Sequence, residues 1–309
     1  MTEMISQRDA YGKALVELGG LNSRIVALDG DLAPSTKTDL FADAYPDRFF
    51  QMGVAEQNMF GVAAGLAALG LIPFTATFAC FTAKRALDQI RIVIAQPHLN
   101  VKMIGAYSGI LTGKTGKTHQ SVEDIAIFRA MPHMVTIAPV DGLEVHKAMH
   151  SIVDYQGPVY LRLTRDPCPI VMPDNYEFVI GRSVVLREGD DVTVIGTGQK
   201  TQDCLEAARL LAEEGIEAFV LHVPTLKPLD DEAIIKAASR TGRVVTVEDH
   251  SIIGGLGGAV SELLGERHPM PIKRVGWQDT FGESGPNQAL LEKYGLTVQH
   301  VVQAIRDIL

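Results

Sequence analysis

The sequence predicts an α/β protein built from two open, mostly parallel sheets, each the centre of a three-layer α/β/α domain, and three observations carry that prediction. Short runs rich in Val and Ile alternate with helical patterns along the whole chain, the signature of parallel strands covered on both faces by crossover helices. The alternation breaks once, at DPCPIVMPDN, where Pro167, Pro169 and Pro173 fall among turn residues, and then restarts. At 309 residues, 46% hydrophobic and 21% charged, the chain is long enough to bury two ordinary cores. The expected organisation is a first domain over residues 1–170, a linker over 171–187 and a second domain over 188–309.

In the first half SRIVALDGD reads as a strand ending in a loop, and FFQMGV as a second strand leading into a helix that begins near Glu56. PFTATF, NVKMIGAY, MVTIAPV and PVYLRL supply further strands. After the break come the strand DVTVIGTG, a helix through CLEAARLLAEEG closed by Gly215, the strand EAFVLHV, a helix through DEAIIKAAS and the strand RVVTVEDH. A helix near AVSELLGE, the strand PIKRVGW and a terminal helix VVQAIRDIL complete the chain. The uncharged stretch from Gln57 to Ala83 is long enough to cross a bilayer, but Gly70 and Pro73 divide it into a helical half and a strand-like half. Two buried elements are expected there, and no membrane span.

Charge and cysteine usage exclude several function classes. Lys plus Arg total 28 against 37 for Asp plus Glu, a net of −9, so no positive field is available to hold a phosphodiester backbone and no nucleic-acid partner is expected. Cys80, Cys168 and Cys204 share no CxxC or Cys/His spacing, which argues against a disulfide framework or a cysteine zinc site and for a reducing, cytoplasmic setting. MTEMISQRDAYGKAL has no apolar run behind a basic start, so no export signal is expected.

Residues 51–70, QMGVAEQNMFGVAAGLAALG, place the carboxylate of Glu56 after a strand and a Gly53 turn, at the start of a helix of small and apolar residues. The helix dipole favours the ionised acid while burial beside Met52, Val54, Met59 and Phe60 favours the neutral one. A group so poised suits proton transfer or a strong hydrogen bond to a ring nitrogen; a helix-start glutamate satisfying local amides is the plain alternative. Gly61 and Gly65 would let another backbone approach closely. In TFACF, Phe78 and Phe81 are either ordinary core or a stacking surface for a flat heterocycle. GILTGKTGKTHQSVED, residues 109–124, follows a strand but lacks the glycine spacing of a phosphate loop, leaving His119 near the helix start as its chemically useful group. VEDHSIIGGLGGAV does not form GxGxxG, so its glycines fit close helix packing, and Glu248 and His250 are candidates for subunit contact.

MGVAEQNMFGVAAGLAALG resembles the glutamate segment of the transketolase family, and the resemblance continues in order through ALDGDLAPST, TFACFTAKRALDQIR, GKTHQSVEDIAIFRAMP and VEDHSIIGGLGGAV. It implies a thiamine diphosphate-binding pyrimidine domain followed by a transketolase C-terminal domain that helps dimerisation. By the same resemblance Glu56 hydrogen-bonds the aminopyrimidine ring, so that the cofactor's amino group can take the thiazolium proton. Phe78 and Phe81 line the pyrimidine pocket, with Phe81 stacking, and Asp31 lies near the thiazolium. His119, within Thr118-His119-Gln120, contacts the hydroxyl and carbonyl oxygens of the sugar, while Arg8, Ser35 and Arg165 match the substrate-anion site, where an arginine fork suits phosphate oxygens. The chain departs from ordinary transketolases where Thr115, flanked by Lys114 and Lys117, replaces an acidic residue, and where Tyr107 replaces a substrate-side histidine. Lys114 and Lys117 are therefore expected to accommodate an anionic group or a different sugar.

Family members that act alone carry an upstream Gly-Asp-Gly segment and a later asparagine for the metal and diphosphate, and LDGDLAPS does not reproduce that pair. No metal site is expected on this chain. The resemblance implies the second subunit of a split transketolase, whose N-terminal partner holds the diphosphate and Mg2+ or Ca2+, with two of each subunit and sugar or sugar-phosphate substrates. The alternatives are a beta subunit of a 2-oxo-acid dehydrogenase, a relative of deoxyxylulose phosphate synthase, or a non-catalytic scaffold of the same fold.

Overall fold

The computed structural model describes residues 3–309. Its larger sheet has seven strands in the order Thr225–Lys227, Val135–Ile137, Val159–Arg162, Lys102–Ala106, Ile72–Phe78, Ile25–Asp29, Phe49–Gln51. Every pairing among the six strands that the first half contributes to this sheet is parallel. The four central strands are buried along their length, which is why they read as continuous apolar runs rather than as alternation. Side chains leave them on two sides. Ile25 and Ala27 pack with Tyr11, Leu15 and Met149 under the helices Gln7–Leu21 and Gly142–Asp154, while Val26 and Leu28 pack with Met59, Phe60 and Ile90 under Glu56–Ala68 and the π-helical turn Ile90–Ala95.

The smaller sheet has the order Ile272–Trp277, Val244–Ser251, Val192–Gly196, Ala218–His222, Val184–Arg187. Its first four strands are parallel and the last is an antiparallel edge. Helices Asp231–Thr241 and Leu256–Arg267 bury Ile234, Ala237 and Val260 on one face; Lys200–Ala212 and Val298–Arg306 bury Cys204, Leu211 and Val301 on the other. The chain is α/β in two three-layer units, and each predicted strand lies on an observed one.

Three short elements depart from the sequence reading. Met4–Ile5 pairs antiparallel with Cys168–Pro169, inside the stretch that reads as structureless. Val184–Arg187 lies within the segment expected as linker and forms the sheet edge. Thr225–Lys227, from the second half, adds an antiparallel strand to the first sheet, so the two halves share a sheet rather than meeting only through side chains. The uncharged run divides as expected into the helix Glu56–Ala68 and the strand Ile72–Phe78, and no helix among the described residues is long and apolar enough to cross a membrane. Cys80, Cys168 and Cys204 are buried and unpaired.

Candidate active site

The C-terminal ends of the parallel strands carry the site, the usual ligand location in such sheets. Strand Phe49–Gln51 ends at a turn in which Gly53 takes φ +70°, and helix Glu56–Ala68 begins at once. Glu56 is only 1% exposed. Its Oε1 accepts a hydrogen bond from Arg85 Nη1 at 2.8 Å, while Oε2 is buried with no partner. The hydroxyl of Thr77, near the end of strand Ile72–Phe78 on the far side of Ile25–Asp29, is also buried and unpartnered. Gly30 lies between them: a Cβ there would stand 3.2 Å from Thr77 Oγ1 and 3.8 Å from Glu56 Cγ.

An aromatic wall continues from this carboxylate. Phe78 ends the strand Ile72–Phe78 and Phe81 lies in the next helix, Ala79–Lys84, their ring centroids 5.8 Å apart at 24°. The His119 ring stands edge-on at 5.3 Å from Phe81 and 6.0 Å from Phe78, and Tyr107 lies 4.2 Å from Phe78. The guanidinium of Arg85 covers Phe81 at 4.0 Å. His119 Nδ1 is 2.8 Å from Thr118 Oγ1. Glu56, Phe78, Phe81 and His119 are thus brought together, joined by Arg85, which the sequence reading did not single out.

Arg8, Ser35 and Arg165 also meet, around Tyr107. Arg8 donates to the backbone oxygen of Ser35 and, at 3.3 Å, to the Tyr107 hydroxyl. The Arg8 and Arg165 guanidinium carbons lie 4.8 Å and 5.5 Å from the Tyr107 ring centroid. Burial works to raise the Tyr107 phenol, but bonds to Ser35 and Arg165 and the two cationic charges outweigh it and bring the group below its ordinary value. Positive charge and donors are concentrated here.

Asp31 has φ +68° and an exposed side chain; its backbone N–H donates to Gln51 Oε1 at 2.9 Å. The buried acid beside it is Asp29, the last residue of strand Ile25–Asp29, which accepts from Leu32 N at 2.6 Å and from the hydroxyls of Thr36 and Thr38 at 2.7 Å. Burial raises its carboxyl above the ordinary value. Asp29 shapes the segment that presents Ser35, a role the sequence did not single out.

Lys114 and Lys117, expected to accommodate an anionic group or a different sugar, face different hollows. Lys114 lines the hollow that holds Phe78, Tyr107 and Arg165, whereas Lys117 lines another with Lys84, Gln120 and Phe281. The cause is local: a 3-10 turn over Gly113–Thr115 followed by Gly116 at φ +73° reverses the chain between them.

The second half of the chain holds the His119 loop. Asn287 Oδ1 accepts from Gly113 N at 2.9 Å, its Nδ2 donates to Leu111 O at 3.0 Å and to Asp166 Oδ2 at 2.6 Å, and Gln120 donates to Glu283 O at 3.0 Å. Asp249 Oδ1 accepts from Ile110 N at 3.1 Å. Glu248 and His250 are fully buried within the chain, so the expected subunit contact is corrected. Glu248 instead accepts from Leu256 N at 2.7 Å and Gly257 N at 2.8 Å, capping the helix Leu256–Arg267, and burial pushes its carboxyl up to about 7.

With this geometry in view, residues 3–169 match the family described as transketolase, pyrimidine binding domain, and residues 181–301 match transketolase, C-terminal domain. The 6-deoxy-6-sulfo-D-fructose transketolase subunit SqwH of Clostridium sp. (strain MSTE9) is 46% identical over 97% of this chain and 94% of its own length. A subunit of the apulose-4-phosphate transketolase of Phocaeicola vulgatus is 39% identical over 95% of this chain and 94% of its own. A solved structure described as a split gene transketolase, inactive beta4 tetramer, superposes with a TM-score of 0.92 at 50% identity and covers 98% of both chains. Human transketolase is 37% identical over 99% of this chain, which spans 49% of it. The chain therefore belongs to the transketolase family, as the pyrimidine-binding and C-terminal subunit of a split transketolase.

Proposed function

We propose that this subunit, joined to an N-terminal partner, completes a thiamine diphosphate-dependent active site that moves a two-carbon ketol unit from a ketose donor to an aldose acceptor. The observation that carries the reading is the unpartnered Oε2 of Glu56, a buried acceptor beside an aromatic wall, which fits an N–H from a bound heterocycle. When bound, the cofactor supplies a nucleophilic thiazolium carbon, the difficult part of the chemistry. Glu56 holds the ring nitrogen through Oε2 while Arg85 fixes Oε1. Phe78 and Phe81 would line the pocket of the ring, and Asp31 would lie near the thiazolium. His119 donates to and accepts from substrate oxygens, and Arg8, Ser35 and Arg165, with Lys114 beside them, hold a terminal anion. The names of two relatives carry such an anion on the sugar, a sulfonate in one and a phosphate in the other, which supports this assignment.

In this reading the diphosphate and Mg2+ or Ca2+ rest on the partner, and the assembly has two copies of each subunit. The isolated chain self-associates without activity, a behaviour that the inactive tetramer of the similar split gene transketolase supports. The three unpaired cysteines suit a cytoplasmic setting. The test is reconstitution: the two subunits with thiamine diphosphate and magnesium, screened for loss of ketose donors and gain of ketol on aldose acceptors, phosphorylated and sulfonated sugars included. Ketol transfer that requires both subunits supports the proposal. Decarboxylation of 2-oxo acids without ketol transfer overturns it in favour of a dehydrogenase-type subunit.

A further inference from the structure

We infer that Glu17, His146 and His150 form a divalent transition-metal site, best suited to Zn2+, on the face of the first domain opposite the helix that begins at Glu56. His146 and His150 are four residues apart on helix Gly142–Asp154 and so share one face, their ring centroids 4.8 Å apart at 47°. Glu17 reaches them from the packed helix Gln7–Leu21, nine residues and roughly 13 Å along that helix from Arg8. Its carboxylate is straddled: Oε2 lies 3.0 Å from His146 Nε2 and Oε1 lies 3.3 Å from His150 Nε2. The three ligand atoms all fall within 4.8 Å of one another.

A surface ion pair accounts for only part of this. One imidazole suffices to pair a carboxylate, and an exposed pair contributes little to stability. Here a second imidazole is brought in, and its Nε2 is shielded from solvent yet makes no aligned hydrogen bond. Two protonated rings this close would repel, whereas two neutral imidazoles sharing a cation with a carboxylate do not. A tetrahedral centre with bonds of about 2.0–2.1 Å places its ligand atoms about 3.3 Å apart, so the three groups, whose ligand atoms already fall within 4.8 Å of one another, need only a small side-chain adjustment to close on a cation, and two imidazoles plus a carboxylate are a donor set zinc accepts with one position left open. The surroundings agree in charge. Asp154 and Glu177 line the same hollow, while Lys147 turns its ammonium onto the backbone oxygens of Asp174 and Tyr176.

The test uses the full-length, untagged chain, stripped of metal with a chelator and titrated with Zn2+ by calorimetry and with Co2+ by visible absorption. The expected result is one Zn2+ per chain, intense Co2+ bands typical of tetrahedral coordination, and binding weakened at least about tenfold in the His146→Gln/His150→Gln variant. A His98→Gln/His133→Gln variant, whose rings sit 5.1 Å apart elsewhere on the chain, is expected to bind as wild type does. Should the double variant at the site lose its circular dichroism signature, Glu17→Gln, which changes one exposed side chain, takes its place. No stoichiometric binding by the wild-type chain, or equal binding by wild type and site variants, overturns the inference.

Discussion

A carboxylate that is 1% exposed requires a partner for each oxygen, and within this chain Glu56 has a partner for only one. The single ion pair to Arg85, a residue 43% exposed, leaves the inner oxygen for an incoming N–H and fixes the plane in which it is offered. This division of labour predicts different kinetic signatures for the two residues. Glu56→Gln keeps the shape but replaces a charge-assisted acceptor, so reconstituted activity should fall about 100-fold or more even at saturating cofactor. Arg85→Ala leaves the acceptor but frees it to turn, so the thiamine diphosphate concentration for half-maximal rate should rise about tenfold, equivalent to ~1.4 kcal/mol, with a smaller change in kcat. Arg85→Lys should recover part of that loss. Cofactor titrations of the two variants check both; equal loss of kcat in each would contradict the separate roles. Glu56 was legible as a candidate because a carboxylate that opens a helix soon after a glycine turn has a local signature, and the resemblance of that segment to the transketolase family gave it a role. Arg85 was not, because its meaning lies in a contact made across 29 residues.

At the scale of the element, helix Glu56–Ala68 presents Gln57, Asn58, Gly61, Gly65 and Ala68 to solvent. The sequence reading expects Gly61 and Gly65 to admit another backbone, yet a Cβ at either position would meet nothing within 4 Å inside this chain. Val54, at 71% exposure, and Leu69, at 82%, lie just beyond the two ends of the same helix. A surface of small residues between exposed apolar ones is what the proposed self-association would cover. The prediction is that Gly61→Leu and Gly65→Leu keep the folded chain, since the space is open and leucine is the better helix former by roughly 0.5–1 kcal/mol, but shift it to a smaller species. Light scattering after size exclusion reads the mass, and circular dichroism reads the fold. Wild-type mass in both variants would place the contact elsewhere. The strands were legible for a related reason: several consecutive buried residues make a run that survives in one dimension. Met4–Ile5, Cys168–Pro169 and Thr225–Lys227 are too short for any period, and each exists only because a distant strand offers an edge.

Across the whole molecule, the two halves are joined by charges that neither half could bury alone. Arg162 donates to Asp124 at 2.8 Å within the first half and to the backbone oxygen of Asp249 at 2.7 Å in the second, while the Asp249 carboxylate accepts from Ile110 N. Gly109 is obligatory at this junction: it takes φ +70°, and a Cβ there would fall 1.7 Å from Asp249 Oδ2. None of this was legible, since the partners are separated by up to 139 residues and belong to no motif. Burial pushes the Asp249 carboxyl up to about 6 despite the opposing charge of Arg162. A raised folded value means that its stabilising contribution is complete below the ordinary aspartate range and is lost as pH rises through about 6, because the unfolded chain releases its proton first. Neighbouring groups shift in other senses. Burial lowers His250, and at Asp124 burial is outweighed by Arg162, His250 and Tyr160, so the raw pH profile mixes signs. The difference between wild type and Asp249→Asn isolates the group, since asparagine keeps an acceptor for Ile110 N and does not titrate. Relative to wild type, the variant should gain on the order of 2 kcal/mol in urea denaturation between pH 4 and pH 7 and level off above that. A stability difference that stays constant over this range would mean that Asp249 does not hold its proton at the junction, and that the His119 loop is fixed to the second half by Asn287 and Gln120 without help from a titrating contact.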